Sequence, residues 1–160
     1  MKLGIEFPRK LSLAYESMCK PLCHELKLPQ TAFDILMFLA NNPEFKTARD
    51  IVEVRKLKAN LVSVNIDKLV NEGYLVRKNV EGDRRKVQLL CTDKAQPIIS
   101  RGQQLQEHFV EQLFADIDDT TRQTIVLIPF NHGAKRHQFT NRKRSLHMKK
   151  WIALFLTFSL

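Results

Sequence analysis

The sequence lacks both the long apolar runs that cross membranes and the short motifs that carry most enzyme chemistry. No stretch reaches the roughly 18 uninterrupted apolar residues that span a bilayer, and no apolar N-terminal run precedes a small-residue cleavage site, so we expect no signal peptide. P-loop, GxGxxG, HExxH and GxSxG patterns are absent, and we therefore expect neither enzymatic activity nor a cofactor. The three cysteines, an odd number, favour free thiols in a reducing cytoplasm over a disulfide framework.

Acidic residues are missing from the C-terminal segment 125–160, which holds seven Lys or Arg. Of the 26 basic and 17 acidic residues of the chain, 19 basic and all 17 acidic ones therefore lie in 1–124, a net charge of +2 there. Within that part, residues 46–86 carry 11 basic and 6 acidic groups, a local charge of +5. A solvated charged face is the common cause of such an excess, but a polyanionic partner is the functional alternative.

Hydrophobic periodicity predicts a mainly α-helical chain with one small β-hairpin. The expected helices are 8–27, 30–41, 47–54, 59–72, 92–117 and a last one from 118 to about 129; the expected strands are 74–80 and 85–91. Pro21 should kink or restart the first helix. Thr47 with Asp50 is typical of a helix N-cap pair, and Thr92 is expected to cap the long helix.

The segment 60–72 is predicted to be a helix with two distinct faces. Its apolar stripe comprises Val62, Ile66, Leu69 and Val70. Its opposite face comprises Asn60, Ser63, Val64, Asp67 and Asn71. A DNA major groove admits such a helix, and short polar side chains can approach base edges there. A preceding short helix and a break near Lys56 would complete a helix-turn-helix, although a plain amphipathic surface helix has the same pattern.

The predicted hairpin has a basic tip, with Arg84, Arg85 and Lys86 beside Gly82 and Asp83. Arginine on a narrow protrusion can enter a minor groove or bind a phosphate through two hydrogen bonds. Basic turns are usually only solvated, but a basic hairpin directly after a groove-sized helix is less common. The two elements together favour binding to double-stranded DNA.

The same stretches resemble the multiple-antibiotic-resistance regulator (MarR) family of winged helix proteins. The resemblance is carried by LPQTAFDILMFL, by NLVSVNIDKLVNEGYLVRK and by the wing EGDRRKVQLLCTDKA, with Asp83-Arg84-Arg85 as the Asp-x-Arg wing tip. It implies a winged helix-turn-helix with flanking dimerisation helices. The implied division is an N-terminal dimerisation region 1–27, a DNA-binding domain 28–92, a long helix with the start of a terminal helix over 93–124, and an atypical basic and apolar tail 125–160.

The resemblance also implies a function, that of a homodimeric regulator, by default a repressor, on a pseudo-palindromic operator. Asn60, Ser63, Val64 and Asp67 would face the major groove, and Lys58 would lie near phosphate at the start of that helix. Arg85 would be the wing arginine, with Asp83 its orienting partner and with Arg84 and Lys86 beside it. A small ligand or an oxidant would release the DNA.

Two stretches depart from the family pattern. Asp93-Lys94-Ala95 stands where the family often has a glycine after the threonine. The tail 125–160 does not resemble a dimerising helix, and its end, WIALFLTFSL, is too short to span a membrane. Beside Lys149 and Lys150 that end could bind a membrane surface, but we expect it to pack on the body or on a second subunit.

Cys19 and Cys23 lie four residues apart in the first predicted helix and leave three interpretations open. They could pack as small buried apolar side chains, which is the commonest role of free cysteine. They could sense oxidants, which requires a lowered thiol pKa and exposure. With His24 and Glu25 they could bind a metal, although neither CxxC nor HxxxH is present.

Overall fold

The computed structural model describes residues 6–80, 82–118 and 120–121. In this part of the chain, four helices precede a hairpin and a fifth helix follows it. The elements are α1 (Glu6–Leu26), α2 (Gln30–Asn41), α3 (Ala48–Arg55), α4 (Ala59–Asn71), β1 (Leu75–Val80), β2 (Asp83–Cys91), a 3₁₀ turn (Asp93–Ala95) and α5 (Gln96–Leu113). The expected fold class, mainly α-helical with a small β-hairpin, is confirmed.

Helix α2 forms the centre of the core, as its nearly uniform apolar sequence predicts. Every residue from Ala32 to Leu39 is buried, and Phe33, Leu36 and Phe38 have no exposed surface. Side chains of α1, α4, α5 and β2 pack around it. Burying one large apolar side chain stabilises a fold by about 1.5–3 kcal/mol. The buried side chains of α2 therefore hold the flanking helices and the hairpin together.

Local backbone signals set both ends of α4. Lys56 adopts the left-handed conformation (φ 54°), and the chain turns there between α3 and α4. At the other end, Gly73 has φ 77°, with hydrogen bonds from Gly73 N to Val70 O and from Tyr74 N to Leu69 O. This pair of bonds is the Schellman motif, which glycine favours because it lacks a β-carbon. The predicted break at Lys56 and the predicted stop at Gly73 are therefore both confirmed.

The hairpin is an antiparallel pair that is anchored to the helical body. Leu75 lies opposite Cys91 and Asn79 opposite Val87, and the register shifts between Asn79 and Val80. Leu89 N donates a hydrogen bond to Lys46 O at 2.7 Å, which joins β2 to the segment before α3. The wing thus has a fixed base next to the first helix of the helix-turn-helix.

Three local expectations were wrong. A restart of the first helix at Pro21 is wrong, because Pro21 lies inside the continuous α1 with its ring exposed near the helix end; the alternative, a kink, stays a prediction. Thr92 makes no side-chain cap; instead, its hydroxyl donates to Gly73 O at 2.7 Å and thereby ties the end of the wing to the end of α4. The long helix is shorter than expected, because a 3₁₀ turn precedes α5 and α5 ends at Leu113.

A buried ion pair links α2 with α3. Arg55 Nη2 lies 3.9 Å from Asp34 Oδ2, and both side chains are almost wholly buried. The Gln30 amide donates to Asp34 Oδ1 at 2.9 Å. Burial raises the pKa of Asp34 to about 6, although Arg55 and Gln30 act to lower it. An ion pair thus links α3, the first helix of the helix-turn-helix, to the core, although burial disfavours the charged form of Asp34.

A second polar cluster joins α1, α2 and α5. The Gln106 amide donates to the Tyr15 hydroxyl at 2.9 Å, and the Asn41 amide donates to Gln106 Oε1 at 2.9 Å. On the surface, Arg101 forms two hydrogen bonds with the Glu25 carboxylate, at 2.7 and 2.6 Å. These contacts fix α5 against α1, the helix of the expected N-terminal dimerisation region.

Beyond α5 the described chain is short. Asp118 Oδ1 accepts a hydrogen bond from Thr121 N at 3.0 Å, which is N-cap geometry, and residues 120 and 121 are helical. The expected course of that helix to Pro129, and the tail 125–160 with its apolar end, lie outside the described residues.

Candidate nucleic-acid interface

Helices α3 and α4 form the helix-turn-helix, and a full capping box begins it. The Thr47 hydroxyl accepts from Asp50 N at 3.1 Å, while Asp50 Oδ2 accepts from Thr47 N at 2.8 Å. Partial burial raises the pKa of Asp50, but its hydrogen bonds with Thr47 and Lys46 outweigh that effect and lower the pKa overall. The N-terminus of α3 is therefore well fixed, and α3 supports α4 from one side.

Helix α4 separates its two faces as predicted. Val62, Ile66 and Leu69 are at most 2% exposed. The residues of the predicted opposite face are all exposed; they are Asn60, Ser63, Val64, Asp67 and Asn71. Asn65 is the buried polar residue of α4, and its amide donates to Leu61 O at 2.8 Å. The outward face of α4 is thus exposed within the described part of the chain.

The N-terminus of α4 has no side-chain cap. Lys58 occupies the N-cap position without a capping hydrogen bond, and both Lys56 and Lys58 are exposed. The Asn60 amide oxygen accepts from Leu61 N at 2.9 Å. An N-terminus of this kind carries partial positive charge from its backbone N–H groups, and the two lysines add to that charge. The arrangement attracts anions such as phosphate.

An ion pair that sequence reasoning missed ties the wing to α4. The Arg77 guanidinium on β1 donates a hydrogen bond to the Asp67 carboxylate on α4. Asp67 was predicted to face DNA, and its carboxylate is thus already engaged within the chain. Arg77 lies in the family-like stretch NLVSVNIDKLVNEGYLVRK, but nothing in that pattern indicates which carboxylate it contacts.

A groove of about 380 Å³ lies between α3, α4 and the hairpin. It is lined mostly by apolar side chains, with four polar ones, Arg49, Glu53, Ser63 and Arg77. Arg49 pairs with Glu53 at 2.7 Å, as Arg77 pairs with Asp67. Both arginines of the groove therefore have their charge balanced by a neighbouring carboxylate.

The wing tip is shorter than its sequence predicts. Gly82 adopts φ 82°, and β2 begins at Asp83, two residues earlier than expected. Asp83 and Lys86 are exposed. Arg84 and Arg85 belong to β2, and their side chains lie outside the described part of the structure. The pairing of Asp83 with Arg85 stays a prediction.

The two cysteines of α1 are core residues. Cys19 has no exposed surface, and Cys23 is 7% exposed and donates to Gln30 Oε1 at 3.4 Å. Burial raises the pKa of the Cys19 thiol to about 11 and that of Cys23 to about 12. A reactive thiolate needs the opposite shift, so this geometry favours the packing interpretation over oxidant sensing.

The metal interpretation finds no support in the described residues, and the membrane-surface interpretation concerns the tail, which lies outside them. Among residues 6–80, 82–118 and 120–121, no group of three His, Cys, Asp or Glu side chains is placed to hold a metal ion. Within the same residues, no helix is both long and apolar enough to cross a membrane.

Comparison with known proteins agrees with this architecture. The model of the MarR family matches residues 26–86. The HTH-type transcriptional regulator PecS of Dickeya dadantii (strain 3937) is 27% identical over 130 residues, which cover 80% of this chain and 70% of PecS. A MarR protein from Peptoclostridium difficile superimposes with a TM-score of 0.63 and 25% identity, covering 72% of this chain and 75% of that one.

A second solved structure supports the fold alone. A MarR transcriptional regulator from Methanosarcina mazei Go1 superimposes with a TM-score of 0.59 at 23% identity, covering 76% of this chain and 84% of that one. The matched region 26–86 contains α2, α3, α4 and most of the hairpin, the elements that form the exposed face described above. The chain is therefore similar to MarR-family transcriptional regulators over its winged helix-turn-helix, and it shares their fold.

Proposed function

We propose that the protein binds a pseudo-palindromic DNA operator as a homodimer, with α4 in the major groove and the wing in the adjacent minor groove. The observation that carries this proposal is the exposed face of α4. Its apolar stripe is buried, and its short polar side chains, Asn60 and Ser63 among them, face outward. This face is that of a recognition helix, whose side chains contact base edges.

Each exposed residue of α4 has a role that fits its chemistry. Asn60 and Ser63 would hydrogen-bond base edges, and Val64 offers an apolar contact. Lys58 and the uncapped N-terminus of α4 would contact phosphate. Asp67 would lie at the far end of the contact surface, with its charge balanced by Arg77.

The wing supplies the second part of the proposed contact. Asp83 and Lys86 are exposed at its tip, on either side of Arg84 and Arg85. We assign Arg85 to the minor groove, Asp83 to its orientation, and Arg84 and Lys86 to phosphate. These cations would give binding a strong dependence on salt.

Dimerisation through α1 and α5 is the proposed source of operator symmetry. Leu13 on α1 is 51% exposed, and Leu113 at the end of α5 is 38% exposed. Both helices thus expose a large apolar side chain that an interface with a second copy of the chain would cover. A two-fold dimer would place two α4 helices one helical turn of DNA apart, about 34–36 Å.

Repression is the proposed outcome of binding, because a dimer on a promoter would block polymerase. Release would follow when a small ligand or an oxidant disfavours the DNA-bound arrangement of the two α4 helices. The burial of Cys19 and Cys23 favours a ligand over direct thiol oxidation as the trigger.

Selection of DNA from a random pool tests the proposal. The full chain is incubated with randomised duplex at low salt, the bound fraction is sequenced, and the mass of the complex is measured. We expect convergence on an inverted repeat bound by two chains. Failure of any duplex to bind would contradict the proposal and would favour a winged helix that contacts protein.

A further inference from the structure

Two large apolar side chains lie exposed on the helix proposed to contact DNA. Val64 is 66% exposed and Leu61 is 41% exposed. They are three residues apart on α4, so they are neighbours on one side of the helix surface. The apolar residues that α4 needs for packing lie elsewhere, at Val62, Ile66 and Leu69. Packing within the described chain therefore does not account for the pair formed by Leu61 and Val64.

The surroundings of this pair restrict what can cover it. Asn60 and Ser63 lie on the adjoining surface, and the uncapped, positively charged start of α4 with Lys58 is within one turn. A ligand that covers Leu61 and Val64 must therefore combine small apolar groups with a polar, negatively charged surface around them. The C5-methyl groups of thymine in the major groove have this property, because they are the apolar groups that the groove exposes between phosphate backbones.

We infer that Leu61 and Val64 bind thymine methyl groups and favour thymine at two positions in each half-site of the operator. The inference rests on the proposed function, and it names the chemical feature that α4 recognises. Asn60 and Ser63 would read hydrogen-bonding groups, whereas the apolar pair would read the methyl group, which distinguishes thymine from the other three bases.

Deoxyuridine isolates this contact, since it pairs with adenine as thymine does and lacks only the methyl group. Removing one buried methyl-sized group should weaken binding about fourfold. A two-fold dimer meets the same position twice, so the symmetric double replacement should weaken binding by roughly the square of that factor, about 15-fold.

The experiment uses the full chain and a duplex selected by it from a random pool. Each thymine of the half-site is replaced in turn by deoxyuridine, symmetrically in both halves, and affinities are measured by fluorescence anisotropy. The variants are Val64→Ala and Leu61→Ala, which keep α4 helical because alanine favours helix. The control is Val76→Ala, which removes the same atoms as Val64→Ala from a side chain 46% exposed on β1.

Val76 is a suitable control because successive side chains of a strand face opposite sides. Its neighbour Arg77 faces α4 and pairs with Asp67, so Val76 lies on the side of the hairpin away from α4. Val76→Ala should therefore retain the full difference between thymine and deoxyuridine.

We expect two thymine positions at which deoxyuridine weakens wild-type binding. At one of them Val64→Ala should bind both duplexes equally, and at the other Leu61→Ala should do so. Three results would overturn the inference alone: specific binding that no deoxyuridine replacement weakens, a selected half-site without thymine, or a methyl effect that is unchanged in both variants. Each of them would indicate that Leu61 and Val64 contact a protein partner. Absence of binding to any duplex would overturn the proposed function together with the inference.

Discussion

Arg77 on β1 donates a hydrogen bond to the carboxylate of Asp67 on α4, so the wing and the candidate recognition helix are joined by an ion pair. Both side chains are about half exposed, at 45% and 53%. An exposed pair of this kind contributes about 0–1 kcal/mol to stability. Its larger consequence is electrostatic, because it balances a negative charge on the surface proposed to approach phosphate.

The first prediction follows from that pair. Arg77→Ala should weaken duplex binding, because Asp67 then presents an unbalanced carboxylate to the DNA, while folding stability changes by less than about 1 kcal/mol. The double variant Asp67→Ala with Arg77→Ala should regain part of the lost affinity. Anisotropy on the selected duplex measures the binding of wild type and both variants, and urea unfolding measures their stability. If the double variant binds no better than Arg77→Ala, then Arg77 contacts DNA directly and the charge-balancing account is wrong.

The second prediction concerns the wing. Arg85→Ala should weaken binding to specific and unrelated duplexes alike, and the slope of log affinity against log salt should decrease by about one. Lys20→Ala is the matched control, because it removes one positive charge from an exposed position on α1. An unchanged slope in Arg85→Ala, or an equal change in Lys20→Ala, would count against the assignment of the wing.

The third prediction concerns pH. Burial raises the folded-state pKa of Asp34 to about 6 from its ordinary 3.8. The protonated form is thus favoured in the fold, and this contribution to stability is complete below about pH 4 and is lost as the pH rises through 6. The unfolding free energy of wild type minus that of Asp34→Asn should therefore fall by roughly 3 kcal/mol over that range and level off above pH 7.

Asp50 provides a control of opposite sign for the pH experiment. Its pKa is lowered overall by the capping hydrogen bonds, so its contribution is present above its ordinary pKa and is lost as the pH falls. The unfolding free energy of wild type minus that of Asp50→Asn should therefore decrease as the pH falls. If the unfolding free energy of wild type minus that of Asp34→Asn stays constant or rises from pH 4 to 6, then burial does not set the pKa of Asp34.

The fourth prediction concerns the contact between α5 and α2. A β-carbon added at Gly102 would overlap Met37 Sδ, and it would lie 2.9 Å from Met37 Cε and 3.0 Å from Phe33 Cζ. Gly102→Ala should therefore destabilise the fold by about 1–3 kcal/mol, despite the preference of helices for alanine. Adding Met37→Val should recover part of the loss in urea unfolding. A more stable Gly102→Ala variant would contradict this packing.

Apolar periodicity was sufficient to place the helices, because it reports which side of each element is buried. The apolar run of α2 predicted its central position, and the stripe Val62, Ile66 and Leu69 predicted which face of α4 turns outward. Lys56 and Gly73 mark the ends of α3 and α4, because each adopts a left-handed backbone conformation, which is a property of a single residue. These features depend on residues that are close together in the chain, and they can therefore be predicted from a single sequence.

Contacts between elements were not accessible in the same way. Thr92 has the residue type of a helix cap, but the folded hairpin brings its hydroxyl to the Gly73 carbonyl, to which it donates a hydrogen bond. The pairing of Arg77 with Asp67 likewise depends on how β1 leaves α4. Burial of Cys19 and Cys23, which decides their reactivity, follows from the packing of α1 on α2.

The central claim is that α4 and the wing bind specific duplex DNA, and its most direct test compares two duplexes. Affinity of the full chain is measured on the selected duplex and on a shuffled duplex of equal composition, at several salt concentrations. We predict that both affinities fall steeply with salt and that the selected duplex binds at least about 1,000-fold more tightly. Equal affinity for the two duplexes, or binding independent of salt, would contradict the claim.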